Sequence, residues 1–160
     1  MEALYKNFFR QKKKVDPVIK ALEKVPIFEH LSEKELKNIV QLTHERDYKA
    51  DEYIFKKHAP AEGMYVILNG KIEIKDPGSG SIFASLNSGD FFGELALLDE
   101  EPRSASAVCN EPSRLIGFFR SDLLTVIKRY PKLGNKILLN LSRVLGERLR
   151  ETNKNIIKSK

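Results

Sequence analysis

Between His44 and Phe119 the chain is written in short runs of Val, Ile, Tyr and Phe separated by turn residues, and this punctuation constrains the fold more than any other feature. Runs this short suit strands, because a helix needs a longer periodic stretch before its propagation offsets its nucleation. The spacing predicts strands over 53–55, 64–68, 71–75, 81–86, 104–109 and 115–119. Asn69-Gly70 reads as a tight hairpin turn, whose two central residues need positive φ, and Asp76-Pro77-Gly78-Ser79-Gly80 reads as a longer one. Many short strands at regular spacing predict a closed β-roll or jelly-roll.

Helical periodicity flanks this region on both sides. Asp16 is placed as an N-cap with Pro17 at the first helical position, predicting a helix over 17–24. Ser32 followed by Glu35 forms a capping box, and Leu36, Ile39 and Val40 supply the apolar face of a helix that runs to about Leu42. After Ser121 a short helix reaches Tyr130, Pro131 stops it, and a long helix runs from about Leu133 to Asn155. Leu138, Leu141, Leu145, Leu149 and Ile156 mark a stripe along that helix. The stripe fits either packing on the roll or a helix-to-helix dimer seam, with Ser142 and Arg148 interrupting a strict heptad. The expected fold class is mainly β with α, a jelly-roll-like β-roll flanked by N-terminal helices and a long C-terminal helix. Three parts are expected: a basic, partly helical N-terminal extension over 1–25, the roll with its flanking helices over 26–130, and a long lid or dimerisation helix over 131–160.

Charge and cysteine usage narrow the function classes. The net charge is +6, and Lys6, Arg10 and Lys12-Lys13-Lys14 hold part of the excess. No reading helix or base-stacking aromatics accompany them, so the run reads as a solvated terminal segment and no DNA binding is expected. Nor does the sequence leave room after the long helix for a helix-turn-helix. A metal-dependent oxygenase on a jelly-roll would need clustered ligands, whereas His30, His44 and His58 are scattered, so no metal or cofactor is expected. Cys109 is the one cysteine and reads as a core strand residue. No apolar run approaches the roughly 20 residues that span a bilayer, and no signal peptide is apparent, so a cytoplasmic chain without a membrane role of its own is expected.

One segment carries chemistry: Phe91-Phe92-Gly93-Glu94-Leu95-Ala96-Leu97-Leu98, a three-residue acidic loop, then Pro102-Arg103-Ser104-Ala105-Ser106-Ala107. It resembles the phosphate-binding cassette of the cyclic-nucleotide-binding domain family, found in cyclic-AMP receptor transcription factors, kinase regulatory subunits and gated channels. The family pattern is filled by Phe92, Gly93-Glu94, Ala96, Leu97, Arg103, Ser104 and Ala105. A match this long is more specific than any short motif within it. The upstream run from Met64 to Ile74 also resembles the family, which usually carries a glycine where this chain has His58.

The resemblance implies a ligand-binding set of Gly93, Glu94, Leu95, Ala96, Arg103, Ser104 and Ala105. A cyclic phosphate is a small monoanion, suited to the N–H groups that open a short helix over 93–98. Gly93 permits close backbone approach and Ala96 keeps the surface low. Arg103 offers a bidentate contact to phosphate oxygens, and the Glu94 carboxylate is an acceptor for a ribose 2′-hydroxyl. Ser104 adds a hydroxyl toward phosphate or base. Taken singly, Glu94 and Arg103 also fit a structural salt bridge, which would not require the small residues around them. Phe91 and Phe92 are assigned to packing of the roll. In the family a residue of the C-terminal helix covers the base. Thr152 and Asn153 fall at that register, with Arg148 and Arg150 as competitors, and all four also fit plain solvent-facing positions.

The function so implied is that of a sensor rather than an enzyme. It binds a 3′,5′-cyclic nucleotide, cyclic AMP in preference to cyclic GMP, and signals through its C-terminal helix, with a homodimer through that helix as one arrangement. The alternative is a sensor fragment of a larger transcription factor or gated channel. The downstream effector is left open.

Overall fold

The computed structural model describes residues 16–159, so the basic run near the start lies outside the described residues. The chain forms α1 (Pro17–Glu23), a 3-10 turn (Pro26–Phe28), α2 (Glu33–Val40), β1 (His44–Tyr48), β2 (Tyr53–Phe55), β3 (Gly63–Asn69), β4 (Lys71–Lys75), β5 (Ile82–Asn87) and β6 (Phe91–Phe92). A second 3-10 turn (Glu94–Leu97) follows, then β7 (Ser106–Cys109), β8 (Ser113–Phe119), α3 (Arg120–Arg129) and α4 (Pro131–Lys158). The strands make two four-stranded sheets, ordered β1-β8-β3-β6 and β2-β7-β4-β5, with every pair antiparallel. This is the expected β-roll, with helices before and after the strands.

The helix starts follow their caps. Asp16 Oδ1 accepts the Val18 N–H at 2.8 Å, and Ser32 and Glu35 exchange the two bonds of a capping box. Pro131 does more than end α3. It is the first residue of α4, where its missing N–H costs nothing, and Tyr130 alone separates the two helices.

Asn69-Gly70 is not a hairpin. β3 pairs with β6 and β8, whereas β4 pairs with β5 and β7, so the chain changes sheets at Gly70. Only Gly70 of the two has positive φ (113°), and a Cβ there would lie 2.1 Å from Ser113 Oγ. The glycine answers a close approach across the corner rather than a turn type.

Two apolar clusters hold this arrangement. Tyr48, Ile67, Phe92 and Leu115 from one sheet meet Ile72, Ala107 and Cys109 from the other inside the roll. A larger cluster packs Leu22, Phe28, Leu36 and Ile39 with Met64, Ile116 and Phe118, and joins them to Leu123, Leu133, Ile137, Leu141 and Val144 of the last two helices. Fully burying a side chain of this size contributes about 1.5–3 kcal/mol, so α4 is firmly seated as far as Val144. Asn140 adds direction by donating Nδ2 to Ile27 O at 3.2 Å and Glu29 O at 2.9 Å. The inward set is therefore Leu133, Ile137, Leu141 and Val144, while Leu149 and Ile156 of the expected stripe stand exposed.

The turn between β4 and β5 is tied to the body by Lys57 Nζ, 2.8 Å from Asp76 Oδ1. That contact, with the Ser79 hydroxyl and N–H, pulls the Asp76 carboxyl from 3.8 to about 2. A folded-state pKa lowered in this way contributes stability above the unfolded value and loses it as pH falls through the folded one. In urea titrations, the stability gap between wild type and Asp76→Asn should be constant above pH 3.8 and should close by about pH 2.

Candidate functional site

Arg103 is held where a cation is costly to place. The residue is 8% exposed, and its Cζ lies 4.0 Å from the centroid of the Phe55 ring. Nη2 donates to Gly63 O at 2.6 Å, Nη1 reaches Gly93 O at 3.4 Å, and Nε has no hydrogen-bond partner. None of the ion pairs formed by the described residues includes it. Burial pulls its pKa below the ordinary arginine value, against the opposing influence of Tyr65, Glu62 and Glu94. Buried charges are normally paired, so an inward-held guanidinium without a counter-charge favours an anion beside it.

The backbone is built to present that side chain. His58 donates its N–H to Arg103 O at 2.8 Å, and Arg103 returns its own to Ala59 O at 2.9 Å. These bonds pin Arg103 to the 58–59 loop, and β7 starts only at Ser106 instead of Ser104. His58 has a φ of 69°, so the position where the resemblance leads one to expect glycine keeps the left-handed conformation with a histidine. Gly93 (φ 77°) meets two demands, since a Cβ there would also stand 2.8 Å from Arg103 Nη1.

The segment after Gly93 is a single 3-10 turn of four residues rather than a helix over 93–98. One turn sums few peptide dipoles, so the attraction for an anion rests on Arg103 and on individual N–H groups. Glu94 in this turn is 3% exposed. Its Oε1 accepts Nη1 of Arg148, and its Oε2 is buried without a partner. Glu94 and Arg103 thus do not form the salt bridge that their charges alone suggest. The arginine that reaches Glu94 comes from α4, with its Cζ 5.1 Å from the Phe91 ring.

These groups share one cavity of about 450 Å³. Gly93, Glu94, Leu95, Ala96, Arg103, Ser104 and Ala105 all line it, and Arg148 joins them. Phe55, Ala61, Ile74 and Phe92 form its apolar side, with Asp99, Glu101 and Pro102 along the loop. Thr152 and Asn153 are exposed and contribute no wall, as does Arg150, and the Thr152 hydroxyl turns back to Arg148 O at 2.9 Å. Phe92 does more than pack the roll, since it faces both the inner core and the cavity. Phe55 escaped the sequence reading because a three-residue strand gives no pattern that marks one aromatic as a ligand wall. Among the described residues no three His, Cys, Asp or Glu side chains converge to hold a metal ion.

Comparison with known proteins places this geometry among relatives. The profile of the cyclic nucleotide-binding domain family matches residues 45–130. The cyclic AMP receptor protein of Thermus thermophilus is 34% identical over 129 residues, which are 79% of this chain and 58% of that protein. A potassium channel protein of Rhodopseudomonas palustris is 35% identical over 115 residues, 71% of this chain and 28% of the channel protein. A crystal structure of a cyclic nucleotide-binding domain from Methylobacillus flagellatus aligns with a TM-score of 0.75 at 27% identity, covering 90% of this chain and 83% of that one. The chain therefore spans little more than half of one curated relative and under a third of the other.

Gly93→Ala should force the Arg103 guanidinium off the Phe55 ring and destabilise the fold by about 1–3 kcal/mol through strain at positive φ. Urea denaturation measures the loss, and the Arg103 Nε–Hε resonance should shift while signals from the β3–β8 pair stay in place.

Proposed function

The chain belongs to the cyclic nucleotide-binding domain family, and from that premise we propose that it is a sensor that prefers cyclic AMP to cyclic GMP and passes the signal to α4. The observation that carries the reading is the buried Arg103 guanidinium, paired with no carboxylate of the described residues, in a cavity that also holds the unpartnered Oε2 of Glu94. A ribose cyclic phosphate satisfies both at once. Its phosphate oxygens supply the missing negative charge, and its 2′-hydroxyl donates to the carboxylate. The apolar side made by Phe55, Ile74 and Phe92 suits the remainder of a nucleoside.

Signal transfer follows from the Arg148–Glu94 contact. The α4 arginine occupies Oε1 of the carboxylate whose Oε2 is open to the ribose hydroxyl. Ligand at Oε2 and helix at Oε1 therefore share one carboxylate, so the strength of each contact depends on the other and the ligand acquires different affinities for two positions of α4. The exposed Leu139, Leu149, Ile156 and Ile157 on that helix support a homodimer seam as the recipient of the change. The preference for cyclic AMP draws on the cyclic AMP in the name of the Thermus relative. A second reading, the sensor portion of a larger regulator or channel, is supported by the partial coverage of both curated relatives.

Calorimetric titration with both nucleotides tests the reading. Cyclic AMP should bind more tightly than cyclic GMP, and Arg103→Ala should cost about 2–5 kcal/mol of binding, as truncation of a desolvated charge contact does. Undiminished affinity in that variant would remove Arg103 from the phosphate role. Hydrogen exchange of α4 that ligand leaves unchanged would remove the helix from signalling.

A further inference from the structure

Arg120 is the first residue of α3, yet its side chain reaches back to the cassette. Nη1 lies 3.1 Å from Ala61 O, 3.0 Å from Ala96 O and 2.6 Å from Asp99 O. A nitrogen with two hydrogens facing three carbonyls must share one of them, so these oxygens are drawn to a single point. Ala96 O and Asp99 O belong to the C-terminal end of the 3-10 turn and the acidic loop after it, where carbonyls lack partners of their own. Ala61 O lies two residues before Gly63, whose carbonyl accepts Arg103 Nη2. One guanidinium therefore ties together the two chain segments that flank Arg103. The Arg120 side chain is 24% exposed, and its ion pair with Glu100 at 3.4 Å involves a carboxylate 85% exposed, so the carbonyl contacts dominate. The other end of the tie is equally firm. Arg120 N donates to Glu62 O at 2.8 Å, Asp122 caps α3 through Phe119 N, and Leu123 and Val126 pack with Leu133 and Ile137 of α4.

We propose that Arg120 is a positioning residue that holds the cassette turn in its binding geometry and couples it mechanically to α3 and thence to α4. The proposal rests on reading the cavity as a cyclic nucleotide site, and goes beyond it by naming the strut. A cassette that moves on binding has either to drag Arg120 with it or to break three hydrogen bonds to carbonyls. The strut thus gives α3 its own route to the ligand, separate from the Arg148 contact.

The test uses Arg120→Met, which keeps the length of the side chain, and Arg120→Lys, which keeps its charge and part of its donor capacity. In the ligand-free protein, amide exchange over residues 95–99 should rise at least tenfold in Arg120→Met, while exchange in β3 and β8 stays at the wild-type rate. Affinity for cyclic AMP should fall about tenfold, equivalent to about 1.4 kcal/mol, and binding should no longer alter exchange in α3. Arg120→Lys should recover part of each effect. Wild-type exchange over 95–99, or an equal rise throughout β3 and β8, would overturn the proposal, as would an intact α3 response in Arg120→Met. A wild-type protein that binds neither nucleotide would sink the functional reading instead, and the ligand-free exchange over 95–99 would still decide whether Arg120 fixes the turn.

Discussion

The guanidinium of Arg103, held under the surface by two carbonyls and the face of Phe55, is the constraint around which the rest of the molecule is arranged. Such a group needs acceptors at fixed points, and the fold supplies them from the start of β3 and from the residue that opens the 3-10 turn. It needs a backbone that points it inward, supplied by the paired bonds with His58 and Ala59. It needs a neighbour without a side chain, and Gly93 is that neighbour. Each requirement falls on a different part of the chain, so the two sheets must close before the site exists at all.

The helices divide their labour along the same line. The first half of α4 is locked by apolar packing and by Asn140 against the 3-10 turn at Ile27. Past Leu145 the second half has no buried apolar residue among the described ones, and Arg148 ties it to the roll through Glu94 and the Phe91 ring. A pair with one half-exposed partner contributes far less than a buried apolar side chain. The helix is consequently fixed where it carries structure and loosely held where it meets the cavity.

How much of this could be read from residues alone depended on whether the signal was local. Asp16 and Ser32 announce helix starts because a cap acts within three residues. The cassette residues were legible as a group because their joint spacing is long and includes small residues that an ion pair does not explain. Gly70 was misread because the atom that excludes a side chain there belongs to Ser113, far along the sequence. The lid suffered from phase. The leucine stripe includes Leu141 and Leu145, which pack on the core, but continues to the exposed Leu149, whereas the buried face also takes in Val144, and four residues past Val144 is Arg148. Of the candidates on this helix, Arg148 therefore lines the cavity, and Thr152 and Asn153, placed by the family register, do not. Phe55 and Arg120 left no trace in the pattern, since each acts on groups brought near only by closure of the roll.

Tyr130 is the whole of the connection between α3 and α4, serving as the last cap of one helix and the first of the other. The two backbone torsions of this residue, together with the packing of the first half of α4, set the direction of a helix of 28 residues, which is about 42 Å long at the usual rise. A swing of about 10° at that joint carries the far end through about 7 Å, given that length. A displacement of that size exceeds one helical turn, enough to exchange one set of neighbours for another along the distal face. Because Leu133, Ile137, Leu141 and Val144 seat the first half of the helix on the roll, such a swing requires that packing to move with it, and its reach depends on helix length rather than on the strength of any contact.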